Sequence, residues 1–319
     1  YAGTATEYAS LHNIAFAGVS SLTGFVTFEK TQTTGDISVA ADGTLKLNNL
    51  TFDLRGVSMG DKTLIVVKDG GNLVNWDAYN VHFVYSGVKV NSAAVALSED
   101  DPGKIELFAD HQGNLYWNGA DDNMWNISSA NWSSSANWSS SDDGTGREAF
   151  TALSNVYFGG NAANREITVA QDMVVATLGV TDGGYSFSGA RVAVLGNASL
   201  NPGNGAVTFN DQLVVQGALA AQGSGSVALL GGATVVQDAV FENLSTTIGG
   251  DMTVGGKLTV EASDTSTAGT LTITGNVTAN EMKLVVNGGS ASVSGNLSVG
   301  DDGSITIGGT AAQYYTGTV

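Results

Sequence analysis

The sequence predicts an all-β protein in which residues 151–319 form a right-handed parallel β-helix, or β-solenoid, with a less regular β region on the N-terminal side. Glycine (43 residues) far outnumbers proline (2), so we expect the turns to be made by Gly, Asn and Asp. After position 150, apolar residues alternate with small or polar ones in short runs, which is typical of strands.

A weak internal repeat supports the solenoid. Gly275-Asn276-Val277-Thr278 recurs twenty positions later as Gly295-Asn296-Leu297-Ser298, and a looser copy, Gly250-Asp251-Met252-Thr253, lies twenty-five positions earlier. Repeats near this length indicate a coil of three short strands per turn. At about twenty residues per rung, with each rung rising ~4.8 Å, residues 151–319 predict roughly eight rungs and on the order of 40 Å of rod. A β-sandwich is the alternative interpretation.

Residues 1–110 also predict β structure, but with longer and more aromatic strands. Examples are residues 24–28, 50–54 and 62–67, in which Phe, Leu, Ile and Val are frequent. Such residues are enriched in strands. We interpret this region as earlier rungs that carry larger insertions, and a separate sandwich is the alternative.

Residues 111–150 hold four of the five tryptophans and a perfect hexapeptide duplication, with residues 128–133 repeated as residues 134–139. The serine-rich composition resembles a linker. Each tryptophan nevertheless has a large apolar surface to bury. We therefore predict a folded junction.

Charge and composition exclude several classes of partner. The formal net charge is −18, and the sequence has no cluster of Lys and Arg that could contact the phosphates of a nucleic acid. We therefore expect that nucleic acid is not a partner. No run of about 18 apolar residues could cross a bilayer, so we expect no membrane span in this chain. The absence of cysteine excludes disulfides, thiolate metal sites and cysteine nucleophiles.

Candidate catalytic and metal-binding residues are sparse. Acidic pairs such as Asp100-Asp101 and Asp121-Asp122 lie near Gly or Pro, where aspartates initiate turns. The three histidines are far apart in sequence and no Gly-x-Ser-x-Gly elbow is present. Asp142 and Asp143 are a weak Ca²⁺ candidate, and a solvated turn is the favoured alternative. We expect no cofactor and no enzymatic activity.

Aromatic side chains in the junction are the main candidates for binding. Exposed indoles and phenols could stack on sugar rings, and this group comprises Tyr116, Trp117, Trp125, Trp132 and Trp138. The alternative is that the rings plug one end of the rung stack. We favour the plug for Trp117 and Trp125, and both interpretations stay open for Trp132 and Trp138.

Several of these residues match a known pattern. Trp117-Asn118-Gly119, Asn131-Trp132 and the run Gly184-Tyr185-Ser186-Phe187-Ser188-Gly189 occur in the order of the autotransporter-associated β-strand repeat, which residues 114–200 resemble. The duplicated Asn-Trp segment is longer than that pattern. The resemblance implies a parallel β-helix in a large, repetitive bacterial outer-surface protein, and it supplies no catalytic residues to transfer.

The resemblance and the composition together define three expected functions. The first is a non-catalytic structural or adhesive stalk, extracellular or on the bacterial cell surface, with glycans or a neighbouring or host cell surface as partner. The second is a fibre subunit that associates with its own copies, end to end or laterally, since residues at both ends of the sequence carry few charges. The third is a carbohydrate-binding or carbohydrate-active β-helix protein.

Overall fold

A computed structural model describes residues 113–126, 131–133, 150, 153–262, 269–301, 303–310 and 312–319, and the strands of residues 1–112. The described residues are all-β and contain no helix. Contacts divide the chain into two compact units, residues 1–112 with 151–153, and residues 113–150 with 154–319. Most of the tryptophan-rich junction therefore belongs to the second unit.

The first unit contains ten described strands. They are β1 (Ile14–Phe16), β2 (Val19–Thr27), β3 (Ile37–Val39), β4 (Thr44–Asp53), β5 (Lys62–Val66), β6 (Asn72–Val74), β7 (Val81–Tyr85), β8 (Val88–Lys89), β9 (Val95–Leu97) and β10 (Lys104–Phe108). β4 pairs in parallel with β2, β6 and β7, whereas β10 pairs antiparallel with β5 and β9. The expectation that this region forms earlier rungs stays a prediction.

The second unit is a parallel β-solenoid with three faces, which confirms the predicted fold class. Face 1 consists of β12 (Met124–Trp125), β15 (Glu166–Val169), β18 (Tyr185–Ser188), β21 (Ala206–Phe209), β24 (Ser226–Leu229), β27 (Ser245–Ile248), β29 (Thr270–Ile273), β31 (Ser290–Val293) and β34 (Ala312–Tyr315).

The other two faces form one continuous sheet, because two long strands bend from face 2 to face 3. Face 2 consists of β16 (Met173–Val175), β19 (Val192–Val194), β22 (Leu213–Val215), β25 (Ala233–Val235), the starts of β28 (Met252–Ala262) and β30 (Val277–Val286), and β32 (Leu297–Val299). Face 3 consists of β11 (Asn114–Trp117), β14 (Asn155–Phe158), β17 (Thr177–Val180), β20 (Ala198–Leu200), β23 (Leu219–Gln222), β26 (Ala239–Glu242), the ends of β28 and β30, and β33 (Ile305–Gly308).

Seven complete rungs lie between Glu166 and Gly308. The number of residues per rung varies. Ile248 pairs with Leu229, nineteen positions earlier, and Ile273 pairs with Ile248, twenty-five positions earlier. The extra residues lie between strands, so inward side chains keep their alignment. The prediction of roughly eight rungs counts residues 151–319, whereas the seven complete rungs occupy only residues 166–308.

The core is a set of inward columns along the three faces. On face 1, Phe187, Phe209 and Leu229 are successive register partners, and each is at most 2% exposed. The rings of Phe187 and Phe209 are stacked at 4.6 Å with an angle of 8° between their planes. Burying one such side chain contributes roughly 1.5–3 kcal/mol, so each added rung stabilises its neighbours.

The repeated Gly-Asn sequence forms a corner between faces 1 and 2. Gly250, Gly275 and Gly295 lie above one another, and a Cβ on Gly275 or Gly295 would overlap the carbonyl oxygen of the glycine before it. Beside them, the Asp251 side chain accepts a hydrogen bond from the backbone N–H of Asn276 at 2.8 Å. The Asn276 side chain accepts one from the N–H of Asn296 at 3.2 Å. Glycine is therefore required for close stacking, and Asx side chains tie successive corners together.

Candidate functional site

Aromatic rings fill the core where the described part of the solenoid begins. We define the aromatic cap as Trp117, Trp125, Trp132, Phe150 and Phe158, none more than 5% exposed. Trp125 and Trp132 meet edge to face with ring centroids 5.2 Å apart, as do Trp117 and Trp132. Phe158 lies 5.4 Å from Trp125 and 5.5 Å from Trp132. These distances are typical of favourable aromatic pairs.

A short reversed strand brings Trp132 into the cap. β13 (Trp132–Ser133) pairs antiparallel with β11, opposing Trp132 to Trp117 and Ser133 to Tyr116. In the strand order of the described residues β13 is terminal, outside β11. Its pairing covers the backbone edge of β11 that faces away from β14. Tyr116 and Trp117 of β11 therefore do not form an open edge among the described strands.

Asn131, directly before this strand, bonds to the turn of residues 121–124. It is completely buried, and its side-chain oxygen accepts hydrogen bonds from the N–H groups of Asp121 at 2.9 Å and Asp122 at 3.1 Å. Its amide nitrogen donates to the carboxylate of Asp122 at 2.6 Å and to the carbonyl of Met124 at 3.0 Å. In the Asn-Trp motif, Asn131 therefore fixes the preceding turn by hydrogen bonds and Trp132 fills the core.

Among the residues that the structure describes, the indole N–H groups of Trp125 and Trp132 have no hydrogen-bond partner. Leaving such a donor unpaired costs about 1–3 kcal/mol. Burying 150–250 Å² of aromatic surface returns about 4–6 kcal/mol. For each ring, the free energy gained by burial therefore exceeds the cost of the unpaired N–H group.

Burial corrects the sugar-stacking hypothesis for the tryptophans. Trp125 and Trp132 are 0% exposed and Trp117 is 4% exposed, so no sugar can reach their faces in this structure. The plug interpretation applies to all three. Trp138, Asp142 and Asp143 lie outside the described residues, so their predicted roles stay predictions.

Tyr116 occupies a different position from the tryptophans. It alternates with buried Leu115 and Trp117 along β11, so its half-buried ring lies on the outer surface of face 3. The ring stacks on that of Tyr157, the register partner on β14, at a centroid distance of 5.2 Å and an angle of 20°. Sequence reasoning missed Tyr157, although the pattern Asn-x-Tyr is shared by residues 114–116 and 155–157.

The Gly-Tyr-x-Phe motif has a structural role. Tyr185 is 1% exposed, and its hydroxyl donates a short hydrogen bond to the carbonyl of Gly159. Burial raises the pKa of Tyr185 well above its ordinary value; the positive charge of Arg165 acts in the opposite direction, and the carboxylate of Asp182 adds to the increase. Phe187 faces inward and contacts Phe158 edge to face at 4.9 Å. This motif therefore packs the second complete rung against Phe158 of the aromatic cap.

Charged side chains within the solenoid form ion pairs between neighbouring rungs. Such pairs join Arg165 to Asp182 at 2.9 Å, Arg191 to Asp172 at 2.7 Å, Lys257 to Glu281 at 3.2 Å, and Lys283 to Glu261. Among the residues that the structure describes, no group of three His, Asp or Glu side chains could hold a metal ion. The described part of the chain also contains no helix long and apolar enough to cross a bilayer.

No protein-family model, curated protein or solved structure matches this chain. The resemblance to the autotransporter-associated β-strand repeat therefore rests on the motif residues alone, which lie in the aromatic cap and on β18.

Proposed function

We propose that the chain is a non-catalytic structural stalk of a secreted or cell-surface bacterial protein. The observation that carries this proposal is the in-register stacking of seven complete rungs with closely packed glycine corners. Seven rungs at ~4.8 Å extend the second unit by about 30 Å along its axis. The length of a solenoid is set by its number of rungs. A solenoid stalk can therefore hold a binding group at a fixed distance from the cell surface.

Interactions between rungs suit this role. The Asp251, Asn276 and Asn296 corner ladder and the four ion pairs each connect one rung to the next. Individually, exposed ion pairs contribute only about 0–1 kcal/mol. Their repetition, with continuous core columns, makes stability a sum over neighbouring rungs.

Assignment to a bacterial surface is supported by the motif resemblance and by composition. Trp132 lies in the aromatic cap and Tyr185-x-Phe187 in the second complete rung of a parallel β-solenoid, which is the architecture that the autotransporter-associated β-strand repeat implies. The net charge of −18 favours solubility, which a surface stalk requires.

Location can be tested on intact cells of the source organism. An antibody raised against residues 113–319 should label cells that have not been permeabilised, and protease added outside should remove the label. Labelling that requires permeabilisation would contradict the proposal.

End-to-end association is the second candidate, and one observation favours it. At the other end of the solenoid, the inward residues Val299, Ile305 and Ile307 are only half-buried. Within the described residues, β33 and β34 each have one neighbouring strand. At the opposite edge of face 3, β13 already pairs with Tyr116 and Trp117 of β11, so a stacked copy would meet a two-residue antiparallel strand there.

Light scattering after size exclusion, with electron microscopy, separates these two functions. A stalk remains monomeric at high protein concentration. Concentration-dependent filaments that disappear in Ile305→Lys would instead establish the fibre.

A further inference from the structure

Two tyrosines form an aromatic platform on the outside of face 3. We define the tyrosine shelf as Tyr116 and Tyr157, both half-buried and both alternating with buried residues of the aromatic cap. Their centroids are 5.2 Å apart with 20° between the planes. Offset stacking at this separation leaves part of a ring face uncovered by the other ring. Trp117 and Phe158, the cap residues that follow these tyrosines on β11 and β14, are buried beneath them.

The next position in the same outward column is Gly179, the register partner of Tyr157. A Cβ at this position would lie 2.7 Å from Cδ1 of Tyr157, closer than such contacts allow. The Tyr157 ring therefore leans over Gly179, which has no side chain to keep the ring away from the sheet. The next partner, Ser199, is also small.

Polar side chains run beside the shelf. Asn114, Asn155 and Thr177 form the adjacent outward column, in which the Asn155 amide donates to Asn114 at 2.9 Å and the Thr177 hydroxyl donates to Asn155 at 2.8 Å. An amide nitrogen carries two hydrogens, and the bond to Asn114 uses one of those on Asn155. Amides beside an aromatic face supply the hydrogen bonds that sugar hydroxyls require.

We propose that the tyrosine shelf binds a pyranose ring of a neutral polysaccharide, with the sugar stacked on the rings and its hydroxyls on the Asn column. The inference rests on the proposed surface function, since it names the ligand class of an adhesive stalk. The tyrosine column and the Asn column contain no charged residue on β11, β14 or β17. The net charge of −18 opposes an acidic polysaccharide, so a neutral one is the specific expectation.

Affinity electrophoresis under native conditions tests this site. Gels containing hydroxyethylcellulose, galactomannan, laminarin or dextran are compared with gels containing polygalacturonate. At least one neutral polysaccharide should retard the full chain, and polygalacturonate should not. Tyr116→Ala/Tyr157→Ala should weaken the retardation roughly tenfold or more, because both stacking faces are lost.

Matched variants separate stacking from a purely structural effect. Tyr157→Phe keeps the ring and should keep binding, and Tyr314→Ala removes an exposed tyrosine of face 1 and should change nothing. Gly179→Ala should displace the Tyr157 ring and weaken binding. Circular dichroism checks folding, and the single variant Tyr116→Ala replaces the double variant if the latter does not fold.

The proposal is overturned if no neutral polysaccharide retards the wild-type chain, or if the folded tyrosine variant is retarded as strongly as wild type. Both outcomes leave the proposed stalk function untouched, because that is tested by surface labelling. Conversely, failure of surface labelling does not alter the electrophoretic result.

Discussion

Asn131 shows how one buried amide fixes the chain around an aromatic core. Its side chain satisfies two backbone N–H groups and one backbone carbonyl in the turn from Asp121 to Met124. Removing the amide leaves these groups without partners and opens a cavity beside Trp132. At the residue scale, this side chain is therefore the most sensitive polar position of the cap.

Asn131→Ala should lower the free energy of unfolding by about 2–3 kcal/mol, since several hydrogen bonds in a partly buried turn are lost. Chemical denaturation followed by tryptophan fluorescence measures this change. Asn210→Ala is the control, because Asn210 is exposed and bonds to Ser186 and Phe187 at the surface. Equal losses in both variants would show that the cap does not depend on Asn131.

Tyr185 predicts a dependence of stability on alkaline pH. Burial raises the pKa of Tyr185 in the folded state above the ordinary value of about 10. The folded chain therefore retains a proton that the unfolded chain loses above about pH 10. The resulting stability is fully present below that pH and declines above it by about 1.4 kcal/mol per pH unit.

Urea denaturation between pH 8 and pH 11 checks this sign. Tyr185→Phe should show a flatter decline than wild type above pH 10, whereas Tyr314→Phe, which alters an exposed ring, should follow wild type. Identical slopes for Tyr185→Phe and wild type would refute the assignment.

Single residues also mark the limit of sequence reasoning. Trp132 and Trp138 occur in identical hexapeptides, so the local sequence cannot predict whether either ring is buried or exposed. Trp132 is buried because its strand pairs antiparallel with β11. Its partner there is Trp117, fifteen positions earlier in the chain. Tyr157 was missed because its partner, Tyr116, is forty-one positions away.

At the scale of elements, the glycine corners limit how closely rungs can stack. A methyl group on Gly295 would overlap the Gly275 carbonyl, whereas a methyl group on Gly308 would meet no other atom within 4 Å. The corner glycines are thus required by contact between rungs rather than by chain flexibility.

Gly295→Ala should destabilise the chain by about 1–3 kcal/mol through this overlap. Gly308→Ala should change stability by less than about 0.5 kcal/mol, as expected of a substitution that meets no neighbour. Thermal denaturation of the two variants makes the comparison. A Gly308 variant as unstable as the Gly295 variant would contradict the stacked-corner geometry.

The strands and corners were largely predictable, for a physical reason. Period-two alternation in β21 and β24 reports which side chains face inward, and the Gly-Asn repeat reports where the chain turns. Both signals are local. The alignment of Met252 with Val277, despite the longer spacing, depends on contacts between rungs and was suggested only by the repeated corner sequence.

At the scale of the solenoid, stability should vary along the axis. β26 on face 3 is paired on both sides, whereas β33 has one described neighbour and its inward residues are half-buried. Local opening is easiest where strands have the fewest buried contacts. The C-terminal rung should therefore open more often than central rungs.

Hydrogen exchange measures that gradient. Amides of Ala239–Glu242 should exchange at least tenfold more slowly than those of Ile305–Gly308, as expected for about 1.4 kcal/mol or more between opening free energies. Uniform protection of both strands would indicate that the end is covered, as in an end-to-end assembly.

The central claim, that successive rungs rise along one axis, is tested most directly by distances between spin labels. The chain has no cysteine, so pairs of labels can be placed at will. Ser186, Thr208, Ala228, Thr247, Thr272 and Ser292 are successive register partners on the outside of face 1. Pulsed electron double resonance on Ser186→Cys/Thr272→Cys and Ser186→Cys/Ser292→Cys should give backbone separations of about 19 Å and 24 Å, increasing by one strand spacing. A second distance equal to or shorter than the first, as in a β-sandwich, would contradict the solenoid.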